Sequence, residues 1–294
     1  MKKKKNNSYV GFIYILPWIV GFIGLQLIPL INSLIYSFTN FSLLGNYNFV
    51  GFDNFIKIFT NDATFIQSLK VTFIYVFIAV PVKIAFALLI AIILNQKIKG
   101  ISIFRTLYYM PSILGGSVAI SILWKYLFMD KGVVNNFFGL FGIPAHQWLG
   151  NPNLALGTIS LVTVWQFGSS MLLFLAGLKQ IPTSLYEAAE LDGAKKWRAF
   201  ISITIPSLSP IILFNLIMQM INAFQDFTTP FIITQGGPMK STYLYGMMLY
   251  NEGFKFFRMG YASALSWILF VIIFIFTSLT FKSSSSWVHY GDSV

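Results

Sequence analysis

Residues 71–94 read VTFIYVFIAVPVKIAFALLIAIIL, an apolar run whose single charge is Lys83. A helix that crosses the hydrocarbon core of a bilayer needs about 20 mostly apolar residues, and this run supplies them. Pro81 stands inside it. A membrane helix tolerates such a proline because its neighbours take up the freed carbonyl. The run does not alternate as a membrane β-strand would. It reads as a transmembrane helix.

Five further stretches have the same character: Val10–Phe38, Thr106–Phe128, Leu154–Leu178, Ser207–Phe224 and Tyr261–Phe281. The fold class they predict is all-α, a polytopic membrane protein with six transmembrane helices. Composition agrees. Charged residues make up 10% of the 294, against about 25% in a typical soluble domain. That is too few to coat a soluble surface. The organisation expected is an N-terminal helix and outer loop over 1–65, a five-helix core over 66–282 and a short tail over 283–294. Lys2–Lys5 resembles the basic start of a signal peptide. The apolar stretch behind it is too long for one and lacks an A-x-A site, so it reads as an uncleaved first helix.

The formal net charge of +11 raises nucleic acid as a partner. Sorting the charges by side gives a different answer. With the N-terminus inside, the inner segments hold twelve Lys and Arg, and the outer ones six. Lys70 and Lys83 lie at membrane level. The inner loops then carry +8 and the outer loops +1. This is the positive-inside bias of a membrane protein, with both termini cytoplasmic. A lipid bilayer is the partner it implies, and no nucleic acid.

Several chemistries are excluded. There is no Cys, which removes disulfides, thiolate metal sites and Cys nucleophiles. The two His, His146 and His289, lie outside the spans and are too few for a histidine metal site. No Walker A pattern and no H-E-x-x-H occurs. The chain reads as having no catalytic residue, no metal site and no cofactor of its own.

The long inner loop Lys179–Pro206 carries the most specific pattern. Ser184 and Glu187 have the spacing of a capping box, which predicts a short helix from Leu185. Gly193 is free to take the positive φ that stops it. A second short helix is expected around Trp197, Phe200 and Ile201, ended by Pro206. Within this loop stand Glu187-Ala188-Ala189, then Gly193 after three residues, then Ile203 after nine more, then Ile205-Pro206. In this the chain resembles the permeases of ATP-binding-cassette importers, whose signature is this EAA loop. Asp192-Gly193-Ala194 and Phe200 match the carbohydrate-importer form. Ile205 stands where Leu is commoner. Phe104-Arg105 with Pro111, Thr234-Gln235-Gly236-Gly237-Pro238 and Gly260-Tyr261-Ala262 fit the same subfamily. The resemblance covers essentially the whole chain and is nearest to the larger half of a maltose-type pair.

What the resemblance implies is the type I importer permease fold and a coupling role for the loop. Glu187, Ala188, Ala189, Asp192 and Gly193 would dock on a separate ATPase subunit, Glu187 making a polar contact. That subunit, in two copies, would bind the ATP and Mg. A second homologous permease subunit, an extracytoplasmic solute-binding protein and a sugar substrate complete the expected partners, at the bacterial cell membrane. The bland reading of Glu187 is that it only completes the capping box. The alternative function is a secondary transporter or channel working without ATP.

A solute path needs polar side chains at membrane depth. Thr163, Gln166 and Ser170 share helical spacing in span four, and Gln219, Asn222 and Asp226 in span five. Trp165 lies beside the first stripe, and aromatic faces with amides suit a sugar. The same residues can serve only as interhelical hydrogen bonds. Asp226 is expected near the outer end of its helix, within reach of water. Lys83 costs at least ~2.5–3.5 kcal/mol at the middle of a span. Snorkelling, a carbonyl contact, an ion pair with another span and an anionic substrate all remain open for it.

Overall fold

The structure, a computed structural model, describes residues 8–42, 45, 48–96 and 99–289. Lys2–Lys5, Lys97 and Asp292, which helped to orient the chain, lie outside the described residues, as does the end of the tail. The described residues are almost all helical. They contain no strand beyond an isolated antiparallel bridge between Thr39 and Phe49.

By packing, the described residues form two compact units, those up to 62 with 249–270, and those from 63 to 248 with those from 271 onward. In the first, α1 (Ser8–Phe22) and α2 (Ile28–Ser37) are joined by a π turn over Ile23–Leu27. They make one apolar span, Tyr14–Ser37, whose most apolar stretch has no buried residue. Such a surface is what lipid or another subunit covers. A short helix α3 (Asp53–Asn61) follows. Asn54 staples it to the end of α2, donating to the carbonyls of Ser37 at 2.9 Å and Thr39 at 2.8 Å. The Gly260-Tyr261-Ala262 motif closes this unit. A side chain at Gly260 would collide with the Thr39 carbonyl, and Tyr261 donates to Asp62 at 2.6 Å. Arg258 pairs with Glu252 at 3.3 Å. Burial pushes the Glu252 carboxyl above the usual carboxylate range, and the Arg258 guanidinium pulls it partly back.

The second unit is built around α4 (Ala63–Leu94), which contains the run that opened the sequence reading. The elements that follow are α5 (Ile101–Leu114), α6 (Val118–Leu127), α7 (Val133–Gly139), α8 (Pro152–Trp165) and α9 (Gly168–Gln180). Then come α10 (Thr183–Leu191), α11 (Lys196–Ala199), a π turn over Phe200–Thr204, α12 (Ile205–Phe224) and α13 (Thr228–Ile233). After α14 (Tyr245–Tyr250) and a π turn over Asn251–Lys255, α15 (Met259–Ser284) runs from the first unit into the second.

Helix α4 packs on α8, α9 and α12. Ala79, Ala87 and Ala91 lie fully buried on its inner face, and small residues let membrane helices approach closely. Gly168 does the same for α9 against α5. A Cβ there would come within 2.6 Å of the Tyr108 carbonyl oxygen. Arg105 ties the start of α5 to the end of α4 by donating to the Leu94 carbonyl at 2.7 Å.

Among the described residues, four helices are long and apolar enough to cross a membrane, and two bent pairs raise the number to six when each pair is one span. Spans three and four, each read from sequence as one apolar stretch, are the two bent pairs. The third turns by 105° between α5 and α6, and the fourth by 47° between α8 and α9. At the first break Gly116 takes φ +74°, and the Ser117 side chain accepts from the Ile120 amide to start α6. Apolar periodicity cannot register such a bend, because both arms remain apolar.

Candidate functional site

Two regions hold the residues singled out above. The first is the loop after α9. Helix α10 begins at Thr183 behind Pro182, and no side chain caps it. The capping box expected of Ser184 and Glu187 is therefore absent. Starting two residues before Leu185 puts Ser184 inside the first turn, where its hydroxyl is no longer at the cap position. Glu187 and Ala188 are exposed and Ala189 is half-buried. Glu187 is thus relieved of the structural duty that would explain it away.

The other end of α10 is as expected. Gly193 has φ +72°. Its amide donates to the Glu190 carbonyl at 3.0 Å, and the Ala194 amide donates to that of Ala189 at 2.9 Å. This is the Schellman pattern, in which a left-handed glycine lets the last carbonyls be satisfied. Asp192, exposed, is the residue before the turn. Leu191, at the tip, is 90% exposed.

The second short helix is not separate. From Lys196 the chain runs through α11 and the π turn into α12, so Pro206 does not end it. Proline is acceptable in the first turn of α12 because its missing N–H would be unpaired there in any case. The wider π turn before it bonds Ile205 N–H back to the Phe200 carbonyl. Tyr186 on α10 and Thr204 on that turn share a hydroxyl hydrogen bond of 2.8 Å. That link was not visible in the sequence. It fastens the exposed helix to the base of α12.

The second region is a cavity of about 370 Å³ inside the second unit. Lys83 and Tyr75 reach it from α4, Thr163 and Gln166 from the end of α8, and Gln219 and Asn222 from α12. Asp226 lines it from the break between α12 and α13, and Gly115 and Gly116 from the break between α5 and α6. Gln166 is itself the bend between α8 and α9. Three helix breaks therefore meet at one place. Irregular backbone at membrane depth is stable only when buried in protein or when lining a hydrated cavity. The cavity and the breaks account for each other.

Six of the seven predicted path residues come together here. Ser170 does not. It is fully buried beyond the bend and accepts a hydrogen bond from the Gln219 amide nitrogen at 3.2 Å, so it holds a path residue. The bend at Gln166 separates it from Thr163, where a straight helix would have aligned them. Trp165 also stays out of the lining and packs edge-on against Trp124.

Asp226 is corrected more strongly. It stands just past the end of α12, as expected, but it is not idle. It accepts a short hydrogen bond from the Tyr75 hydroxyl, which also contacts the Thr163 hydroxyl at 2.6 Å. Lys83 does not snorkel, being only 7% exposed. Tyr75 and Gly115 were missed from sequence. A Cβ on Gly115 would come within 2.6 Å of the Gln166 amide oxygen, so glycine here gives that side chain its room.

The family profile described as "Binding-protein-dependent transport system inner membrane component" matches residues 64–284. The chain belongs to this family. The permease is 49% identical to the probable ABC transporter permease protein YesP of Bacillus subtilis strain 168, over 99% of this chain and 96% of that one. It is 34% identical to the lactose transport system permease protein LacF of Rhizobium radiobacter, over 96% of each chain. It is 30% identical to the arabinooligosaccharides transport system permease protein AraP of Bacillus subtilis, over 94% and 88%. In fold it is similar to a chain of a bacterial ABC transporter that imports the acidic polysaccharide alginate. The TM-score is 0.81 at 21% identity, covering 94% of this chain and 95% of that one. The all-α, type I importer permease fold is thereby established, and the permease is a multi-pass membrane protein.

Proposed function

We propose that this permease is one half of the membrane path of an ATP-driven importer for an oligosaccharide. The observation that carries the proposal is a polar cavity joined to an exposed docking helix by one continuous element. Helix α12 begins at the π turn held by Tyr186 and carries Gln219 and Asn222 near its far end, with Asp226 just beyond it. At 1.5 Å per residue, its 20 residues span about 30 Å, the thickness of a bilayer core. A push on α10 is therefore delivered to the cavity wall. Amides, hydroxyls and a carboxylate are the groups that bind sugar hydroxyls, and the sugar-transport names of the relatives support that substrate.

In this reading Glu187, Ala188, Ala189, Asp192 and Gly193 dock on an ATPase subunit, two copies of which bind ATP and Mg. A second homologous permease completes the path, and an extracytoplasmic binding protein delivers the sugar. The chain lies in the cytoplasmic membrane of a bacterium with both termini inside, as the charge bias supports. Alternating access is a repacking of the broken helices around the cavity.

The test is isolation of the assembled complex and its reconstitution into proteoliposomes with the binding protein outside. Uptake of labelled oligosaccharide that requires internal ATP supports the reading. Uptake at the same rate without ATP, or with the ATPase subunits removed, overturns it in favour of a secondary transporter.

A further inference from the structure

The two charges of the cavity are unequally engaged, and the inequality points to a ligand group. Asp226 already has donors of its own. The Tyr75 hydroxyl donates to it, and the amides of Phe227 and Thr229 are directed at it. Lys83 is the opposite case. It is more than nine-tenths buried and lines the same cavity, yet among the described residues no oxygen accepts a bond from its ammonium. The two charges feel one another but close no ion pair. The ammonium opens onto the cavity, so its three donors are left to whatever fills that space.

Resting on the carbohydrate reading above, we infer that Lys83 takes the carboxylate of an acidic sugar, so that the permease carries uronic-acid oligosaccharides. Lys83 and Asp226 sum to zero formal charge, so a single negative charge on the ligand is the most that the lone ammonium can answer. Asp226 already offsets part of the ammonium's charge, so a dianionic phosphate would be left undercompensated. No arginine fork is present in the lining to hold such a group. Gln166, Gln219 and Asn222 remain for the neutral hydroxyls along the same chain.

The experiment uses the complete importer in proteoliposomes with one binding protein throughout. The probes are a uronate trisaccharide and the same trisaccharide with its carboxyl groups reduced to alcohols. Lys83→Met is expected to lower the ratio of uronate to neutral uptake by roughly tenfold or more, the loss of one charge-assisted hydrogen bond. Lys83→Arg should keep most of the preference. The double variant Lys83→Met/Asp226→Asn removes both charges, so no bare carboxylate is left to unfold the site, and it should lose the preference equally. Equal loss of both sugars in Lys83→Met and in the double variant overturns the inference and leaves the carbohydrate reading standing. Wild-type complex that hydrolyses ATP but imports neither sugar overturns the carbohydrate reading itself.

Discussion

On the proposed function, the loop that docks and the cavity that carries the solute lie toward opposite ends of α12, and they are built by opposite means. Every feature of the loop is local. A glycine at φ +72°, two carbonyls satisfied behind it and a run of exposed side chains all fall within twelve residues of chain. The cavity has no local element at all. Its lining comes from α4, α8, α12 and three helix breaks far apart in sequence. A surface that must be recognised by another protein can be written as a short motif. A site that must change shape is assembled from pieces that can move apart.

The largest expected effect breaks the loop. Gly193→Val forces a β-branched residue into the left-handed region, where even an ordinary L-residue costs roughly 1–2 kcal/mol. The turn must rearrange and carry α10 out of place. Transport should fall tenfold or more, while the protein still reaches the membrane at wild-type level by immunoblot. Gly193→Asn, which tolerates that conformation, should retain most activity. Equal loss in both would show that the turn's conformation is not what matters at this position.

The same contrast explains what could be read in advance. The apolar spans and the glycine stop after α10 depend on neighbours in sequence, and both were legible. So were Lys83, Gln219, Asn222 and Asp226, because a polar group in an apolar run stands out wherever it points. The bends were not legible. Gly115-Gly116 reads as a tolerable pair within a membrane helix, and Gln166 as one more polar residue on a face. Only packing shows that both are corners. Ser170 was misplaced by that hidden corner. The role of Tyr75 was hidden differently, since a tyrosine in an apolar run resembles core until its hydroxyl is seen against Asp226.

Next in size is the cavity itself. Tyr75→Phe removes one hydroxyl that serves both Thr163 and Asp226, without changing the shape of the ring. A hydrogen bond to a charged group contributes about 1.5–3 kcal/mol. Its loss leaves a carboxylate short of a donor at the break before α13. The purified complex should melt several degrees lower, and uptake should fall roughly tenfold. An unchanged melting temperature would mean that the bond contributes nothing to holding the three elements together.

A smaller effect tests the link between the two regions. Tyr186→Phe deletes the bond to Thr204, worth about 1 kcal/mol. Neither the docking surface nor the cavity lining is touched. ATP hydrolysis should continue, and the sugar imported per ATP should drop several-fold. A proportional loss of both activities would place Tyr186 in assembly and not in transmission.

The smallest effect separates the residue that lines the cavity from the one that stands behind it. Ser170→Ala takes away the acceptor for Gln219 but leaves the lining chemistry intact. Interhelical hydrogen bonds of this kind average about 0.6 kcal/mol in a membrane protein, which is under threefold in an equilibrium. The half-saturating sugar concentration should rise by no more than that, whereas Gln219→Ala removes a group facing the solute and should raise it further. Matching shifts from the two substitutions would mean that Gln219 acts only as a partner for Ser170. A larger shift from Gln219→Ala assigns the amide to the path and the buried hydroxyl to its support, which is the division the bend at Gln166 imposes.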